Sequence, residues 1–83
     1  MTGKGHWYAY GIDGEGNATV LLCFTQEQAQ SCVELLKTNE RFERVGRSLS
    51  RMTDRAMRDA LNGCKSVVIE GTGQMSHPAL RGR

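Results

Sequence analysis

Residues 6–25 read HWYAYGIDGEGNATVLLCFT, and this stretch predicts its local structure more clearly than any other part of the chain. Its first part, 6–12, is rich in the aromatic residues that favour strands. The middle, 13–17, combines two glycines with an aspartate and an asparagine, which supply the positive φ angles of hairpin turns. The last part, 18–25, is apolar on both pleat faces, a pattern typical of a strand covered on both sides. We therefore predict an antiparallel hairpin here.

A helix follows the hairpin directly. Thr25 stands three residues before Gln28, the spacing of a capping box at a helix start. Behind it, apolar residues recur at the i, i+3, i+4, i+7 positions that form one helix stripe. These positions are Ala29, Cys32, Val33 and Leu36. The pattern predicts a helix over about 26–38.

Residues 40–62 allow two interpretations. Read as one helix, six apolar residues fall on a single side, at steps of three and four. They are Phe42, Val45, Leu49, Met52, Ala56 and Ala60. This period favours a helical region, bent or broken between 46 and 53. The alternative is a strand at about 41–48 followed by a shorter helix, 54–62, which Thr53 would cap.

The remaining elements complete an α+β prediction. Residues 66–70, SVVIE, are rich in β-branched side chains, which predicts a short strand. We expect the hairpin and this strand to form a small antiparallel sheet, covered on one face by two helical segments. Residues 1–5 would be a flexible lead, 6–73 a single α+β domain and 74–83 a flexible basic tail.

The net charge of +2 on 83 residues conceals an uneven distribution. Residues 1–40 hold two cations and five anions, whereas 41–65 hold seven cations and three anions. Residues 66–83 hold two cations and one anion. An acidic half is thus joined to a basic segment, a pattern that points to an anionic partner. No apolar run approaches the roughly 20 residues of a membrane span, and no apolar signal follows Met1, so we expect a cytoplasmic protein without membrane contact.

Six of the seven cations in the basic segment are arginines, and they recur at helical spacing. On a helix, five of the arginines would share an arc of about 80°, opposite the apolar stripe. With the lysine that follows, the predicted anionic-partner site is Arg44, Arg47, Arg51, Arg55, Arg58 and Lys65. Arginine binds phosphate or carboxylate through two parallel hydrogen bonds, so such a row could follow a phosphate backbone. A solvated face is the competing interpretation, with Glu40–Arg44 and Asp54–Arg58 as internal pairs.

Two smaller candidate surfaces lie in the hairpin. His6, Tyr8 and Tyr10 share one face of the first strand and could form a protein-contact or base-stacking surface. Asp13 and Glu15 in the turn could form an acidic contact with a protein.

Catalytic and metal chemistry find little support in the chain. The three cysteines form no CxxC pair, and together with the two histidines they lack metal-site spacing. They read as small buried apolar residues, and neither histidine accompanies a nucleophile signature. We predict no catalytic residues, no metal and no cofactor.

The preferred function is therefore a small non-enzymatic binding module whose arginine-rich helical face engages nucleic acid or a nucleic-acid-handling complex. The alternative is a protein-directed inhibitor or adaptor of the phage or mobile-element anti-defence type. It would block a host protein complex through the acidic hairpin half or the aromatic strand. A thiol enzyme using Cys64 is the third alternative. A chain this short would also be compatible with a homodimer.

Overall fold

The computed structural model describes residues 5–72, and these form four strands and two helices. In chain order the elements are β1 (Trp7–Asp13), β2 (Asn17–Cys23), α1 (Gln26–Leu36), β3 (Phe42–Arg47), α2 (Asp54–Ala60) and β4 (Ser66–Thr72). The α+β class is confirmed, as are the hairpin and α1. The predicted tail, 74–83, lies outside the described residues, as do residues 1–4 of the predicted lead.

The sheet is mixed, which corrects the prediction of an antiparallel sheet. Its strand order is β3-β1-β2-β4. β1 runs antiparallel to both β2 and β3, whereas β4 runs parallel to β2. Parallel strands cannot be joined by a tight turn, and the chain passes through α1, β3 and α2 between β2 and its parallel neighbour β4.

The two helices lie on opposite faces of the sheet, so the predicted one-sided cover is wrong. The connection through α1 runs from β2 across β1 to β3, and the connection through α2 runs back from β3 to β4. Crossovers of the same hand that travel in opposite directions along a sheet put their helices on opposite faces. We call the α1 side the front and the α2 side the back.

Each face has its own apolar core. The front core joins α1 to the sheet and consists of Ala9, Leu21, Cys23, Ala29, Cys32, Val33, Leu36 and Phe42. The back core joins α2 to the sheet and consists of Tyr8, Ile12, Ala18, Val20, Met57 and Leu61. β1 and β2 supply residues to both cores, which explains why β2 is apolar on both pleat faces.

The helix favoured for residues 40–62 is not formed, and the strand alternative is confirmed. β3 pairs with β1 from Arg47, opposite Ala9, to Phe42, opposite Asp13. Phe42 is buried against Gly11, where a Cβ atom would stand only 2.5 Å from the phenyl Cγ. The buried ring and the paired backbone outweigh the helical period, because packing against neighbours decides strand formation.

The loop between β3 and α2, residues 48–53, stays attached to β1. The Ser48 amide donates to the Tyr8 carbonyl at 2.9 Å, and Met52 exchanges two backbone hydrogen bonds with His6 at 2.7 and 2.9 Å. α2 then begins at the cap residue Thr53, whose hydroxyl accepts from the Ala56 amide at 3.1 Å. The loop therefore carries the chain from the edge strand to the back face.

Candidate arginine surface

The predicted row of arginines is divided among three structural elements. Arg44 and Arg47 lie on β3, Arg51 lies in the loop that follows, and Arg55 and Arg58 lie on α2. A strand points successive side chains to opposite faces, so spacing that aligns residues on a helix does not align them here. The single helical face predicted for these residues is therefore wrong.

The structure instead collects arginines along one edge of the sheet. β3 is one of the two edge strands, and its neighbour among the described residues is β1 alone. We call Arg41, Arg44 and Arg47 the arginine edge. Arg41 immediately precedes the strand and was not part of the predicted site, because it falls outside the helical arc.

Two members of the arginine edge are held by neutral partners on the front side. The Arg41 guanidinium lies 4.5 Å from the centre of the Phe42 ring and donates to the Thr19 hydroxyl at 3.4 Å. Arg47 donates from Nε to Gln30 Oε1 at 2.9 Å and from Nη1 to the Ser48 carbonyl at 3.1 Å. These contacts position the side chains without neutralising their charge.

The third member, Arg44, points to the back side of β3. It stands opposite Ile12 in the β1–β3 register and is exposed. Among the described residues, none of the three edge arginines forms an ion pair. The predicted Glu40–Arg44 pair is thus absent from the described part of the chain.

The cations on and after α2 have different surroundings. Arg58 donates from Nη1 to the Val67 carbonyl of β4 at 3.0 Å, and Arg55 is exposed. The predicted Asp54–Arg58 pair is not found among the described residues: Asp54 accepts a hydrogen bond from the Tyr8 hydroxyl, and Arg58 donates to Val67. The Lys65 amide donates to the Gly16 carbonyl at 2.8 Å, so Lys65 sits beside the hairpin turn.

Asp13, one of the two acidic candidates, holds that turn together. Asp13 Oδ1 accepts from the amides of Glu15 and Asn17, each at 2.9 Å. The hydrogen bond from Asn17 is the main reason that the pKa of Asp13 lies below its ordinary value, since it stabilises the carboxylate. The positive charge of Arg41 contributes a smaller lowering. Asp13 is therefore a structural residue of the turn, while Glu15 remains exposed.

The aromatic candidates do not form one surface. Tyr8 is completely buried in the back core, and Tyr10 is half-buried beside Gly46. His6 is exposed and meets the Phe24 ring edge-on, with 6.0 Å between ring centres. Tyr8 therefore cannot stack a base or touch a partner in this fold.

Three large apolar residues are exposed: Leu49 (85%), Phe24 (62%) and, on β4, Val68 (50%). The exposure of Phe24 and Leu49 is not predicted by the sequence patterns, because Phe24 belongs to the predicted apolar strand 18–25 and Leu49 to the apolar side of the predicted helix. Both lie at the end of the sheet where β1 begins, because Leu49 belongs to the loop anchored at Ser48 and Met52.

The cysteines divide into a pair and a single residue. Cys23 and Cys32 are buried in the front core with their sulfur atoms 3.7 Å apart, and Cys64 is half-buried at the edge of the back core. Across residues 5–72 there is no group of three or more His, Cys, Asp and Glu side chains placed to hold a metal ion.

No helix among the described residues is long and apolar enough to cross a membrane. Comparison with known proteins returned no match to any family model, to any curated protein or to any solved structure.

Proposed function

We propose that this chain is a non-enzymatic binding module that holds the phosphate backbone of nucleic acid against the arginine edge. One observation carries the proposal. Arg41, Arg44 and Arg47 lie along an edge strand of the sheet, and none of them makes an ion pair within the described chain. Guanidinium groups that form no ion pair can bind phosphate and release its counterions, which is the main source of sequence-independent affinity.

The dimensions of β3 suit a phosphate backbone. Arg47 lies six positions after Arg41, which is about 20 Å along a strand. One nucleic-acid strand carries a phosphate about every 3.4 Å along a duplex axis, so this length faces roughly six phosphates. Arg41 and Arg47 approach from the front side and Arg44 from the back. Together they can contact a backbone that lies along the edge of the sheet.

The neutral partners of two edge arginines support the same proposal. Gln30 and the Ser48 carbonyl hold Arg47, while Thr19 and the Phe42 ring hold Arg41. Each side chain has therefore lost part of its rotamer freedom before a ligand arrives, while its full charge remains. Preorganisation of this kind lowers the entropic cost of binding.

A salt titration of binding tests the proposal. The probes are a labelled single strand and its duplex, each of about 20 nucleotides, which is longer than the edge. Fluorescence anisotropy is measured at several salt concentrations. Three phosphate contacts predict a slope of log K against log salt of about −2.7 for the duplex and about −2 for the single strand.

The chain offers a matched control of equal charge. Arg41→Gln/Arg44→Gln/Arg47→Gln removes the arginine edge, and Arg55→Gln/Arg58→Gln/Lys65→Gln removes three cations elsewhere. We expect the edge variant to lose binding and the second variant to retain most of it. Equal losses in both variants would show that net charge alone attracts the probe, and would contradict the proposal, as would the absence of binding by the wild-type chain.

A protein-directed inhibitor or adaptor is the second candidate, and the exposed Phe24 and Leu49 favour it. Both lie at the end of the sheet where β1 begins, and large exposed apolar side chains can take part in a protein contact. On this hypothesis, a host protein complex that binds the chain stays bound after nuclease treatment and after the substitutions in the arginine edge. It is lost when Phe24 and Leu49 are both changed to serine.

A further inference from the structure

We infer that Cys23 and Cys32 form a two-thiol redox site, which a hydroperoxide converts to a disulfide that joins β2 to α1. The inference is independent of the proposed function, because it rests on the front core and not on the arginine edge. It assigns a role to two thiols that a non-enzymatic binding module does not use.

The two sulfur atoms are already neighbours. Cys23 is the last residue of β2 and Cys32 lies in the middle of α1, and the Cys23 thiol donates to the Cys32 sulfur at 3.7 Å. Neither cysteine is in a disulfide, and both are buried in the same apolar core. Formation of a disulfide requires the sulfur atoms to approach by about 1.7 Å, to the bond length near 2.05 Å.

The surrounding structure holds the pair in place. Thr25 caps α1 directly after β2, with its hydroxyl accepting from the Gln28 amide at 3.0 Å. Ala29 and Leu36 on the same stripe as Cys32 are fully buried against the sheet. Because a packed interior allows little sliding, the two sulfur atoms remain in register while α1 stays docked.

The hydrogen bond between the thiols gives them different acidities. Donation to Cys32, together with burial, raises the pKa of Cys23, whereas accepting that hydrogen bond lowers the pKa of Cys32. The thiolate is the nucleophile in thiol chemistry. Because the Cys23 thiol donates its proton toward the Cys32 sulfur, we assign Cys32 as the attacking residue and Cys23 as the resolving one.

The reaction balances with hydrogen peroxide as the oxidant. The Cys32 thiolate attacks one peroxide oxygen, the O–O bond breaks, and hydroxide leaves while Cys32 becomes a sulfenic acid. Hydroxide takes the Cys23 proton and becomes water. The Cys23 sulfur then attacks the Cys32 sulfur, and the S–O bond breaks with loss of hydroxide, which takes up the proton released from Cys32. Two thiols are oxidised to one disulfide, and one peroxide is reduced to two waters.

Burial sets the rate of this reaction. Neither sulfur is reachable from solvent while α1 is docked, so the peroxide must enter during a local opening of the helix. A hydroperoxide is small enough to need only a brief opening. We expect the pair to react more slowly than an exposed thiol but to yield a defined intramolecular product.

Peptide mapping identifies that product. The folded wild-type chain is treated with hydrogen peroxide, its remaining thiols are alkylated in denaturant, and the chain is cleaved after glutamate. Cleavage after Glu27 separates Cys23 from Cys32, so a disulfide appears as two linked peptides. We expect Cys23–Cys32 to be the main linkage, lighter by two hydrogen atoms and restored to thiols by dithiothreitol.

Two further samples make the result decisive. The Cys64→Ser variant retains the pair, and we expect it to give the same linkage and a Tm higher by at least about 5 °C after oxidation. Wild-type chain oxidised in urea should give mixed pairings that include Cys64. The inference is overturned if the folded chain gives linkages through Cys64 instead, or if Cys23 and Cys32 remain thiols after Cys64 is oxidised.

Discussion

The hydroxyl of Tyr8 links strand β1 to helix α2 across the back core. Its ring is completely buried in that core, and its hydroxyl donates to Asp54 in the first turn of α2. Burial, and then the hydrogen bond to this carboxylate, raise the pKa of Tyr8 well above its ordinary value of 10.0. The phenol therefore stays protonated in the folded chain at pH values where the unfolded chain releases the proton.

We predict that Tyr8→Phe lowers the free energy of unfolding at neutral pH by about 1 kcal/mol, the typical value of a lost hydrogen bond. The contribution of a raised pKa is complete below about pH 10 and is lost as the pH rises towards the folded-state pKa. Urea unfolding between pH 8 and 12 should therefore show a shallower decline at high pH for the variant than for the wild type. Parallel declines would mean that Tyr8 does not keep its proton.

The edge strand β3 shows how tertiary contacts override a local pattern. Its residues have helical apolar spacing, and the sequence alone favours a helix there. Phe42, however, fits against Gly11 of β1, a contact between residues 31 positions apart that no local pattern contains. Strand formation depends on such cross-strand packing more than on intrinsic preference. The helical arc of arginines is lost for the same reason.

We predict that Gly11→Ala destabilises the chain by about 1–3 kcal/mol, because the added Cβ overlaps the buried Phe42 ring. Gly63→Ala is the matched control, since an added Cβ there has no neighbour within 4 Å. Its effect should stay within about 0.5 kcal/mol. Urea midpoints measure both changes. Equal effects in the two variants would contradict the docking of Phe42 on Gly11.

At the scale of the whole molecule, one sheet supports two cores. The front core under α1 and the back core under α2 share β1 and β2, whose alternate residues face opposite sides. Loss of either helix would expose one face of these shared strands. We therefore expect the two sides to unfold in a single transition, as small domains usually do.

Met57→Ala tests this coupling, because Met57 is 2% exposed and lies in the back core. We predict a loss of about 2–5 kcal/mol. Trp7, the single tryptophan, packs against the front core and reports on the opposite face. Its fluorescence and the far-ultraviolet circular dichroism should shift to the same lower urea midpoint.

The exposed Arg55 on α2 provides the control for that experiment. Arg55→Ala should change the free energy of unfolding by no more than about 0.5 kcal/mol. A Trp7 transition that stays at the wild-type midpoint while the circular dichroism shifts in Met57→Ala would show that the two layers unfold separately.

Local patterns predict the hairpin and the start of α1 at Thr25. In each case the deciding interaction joins residues close in the chain: a turn hydrogen bond, a capping hydroxyl or one helix stripe. The sequence also contained a sign of the second core, since residues 18–25 are apolar on both faces. The prediction that helices cover only one face of the sheet does not take this apolar pattern into account.

The mixed sheet, the opposite faces of the two helices and the arginine edge are decided by tertiary structure. Each depends on contacts between distant segments: Phe42 with Gly11, Met57 with the back of the sheet, and β4 beside β2. The spacing of apolar residues predicts which side chains of a segment share a face. It does not predict which strand lies beside that segment. For this chain the nature of the candidate site, a set of arginines, follows from composition, whereas its position on a sheet edge follows from strand pairing.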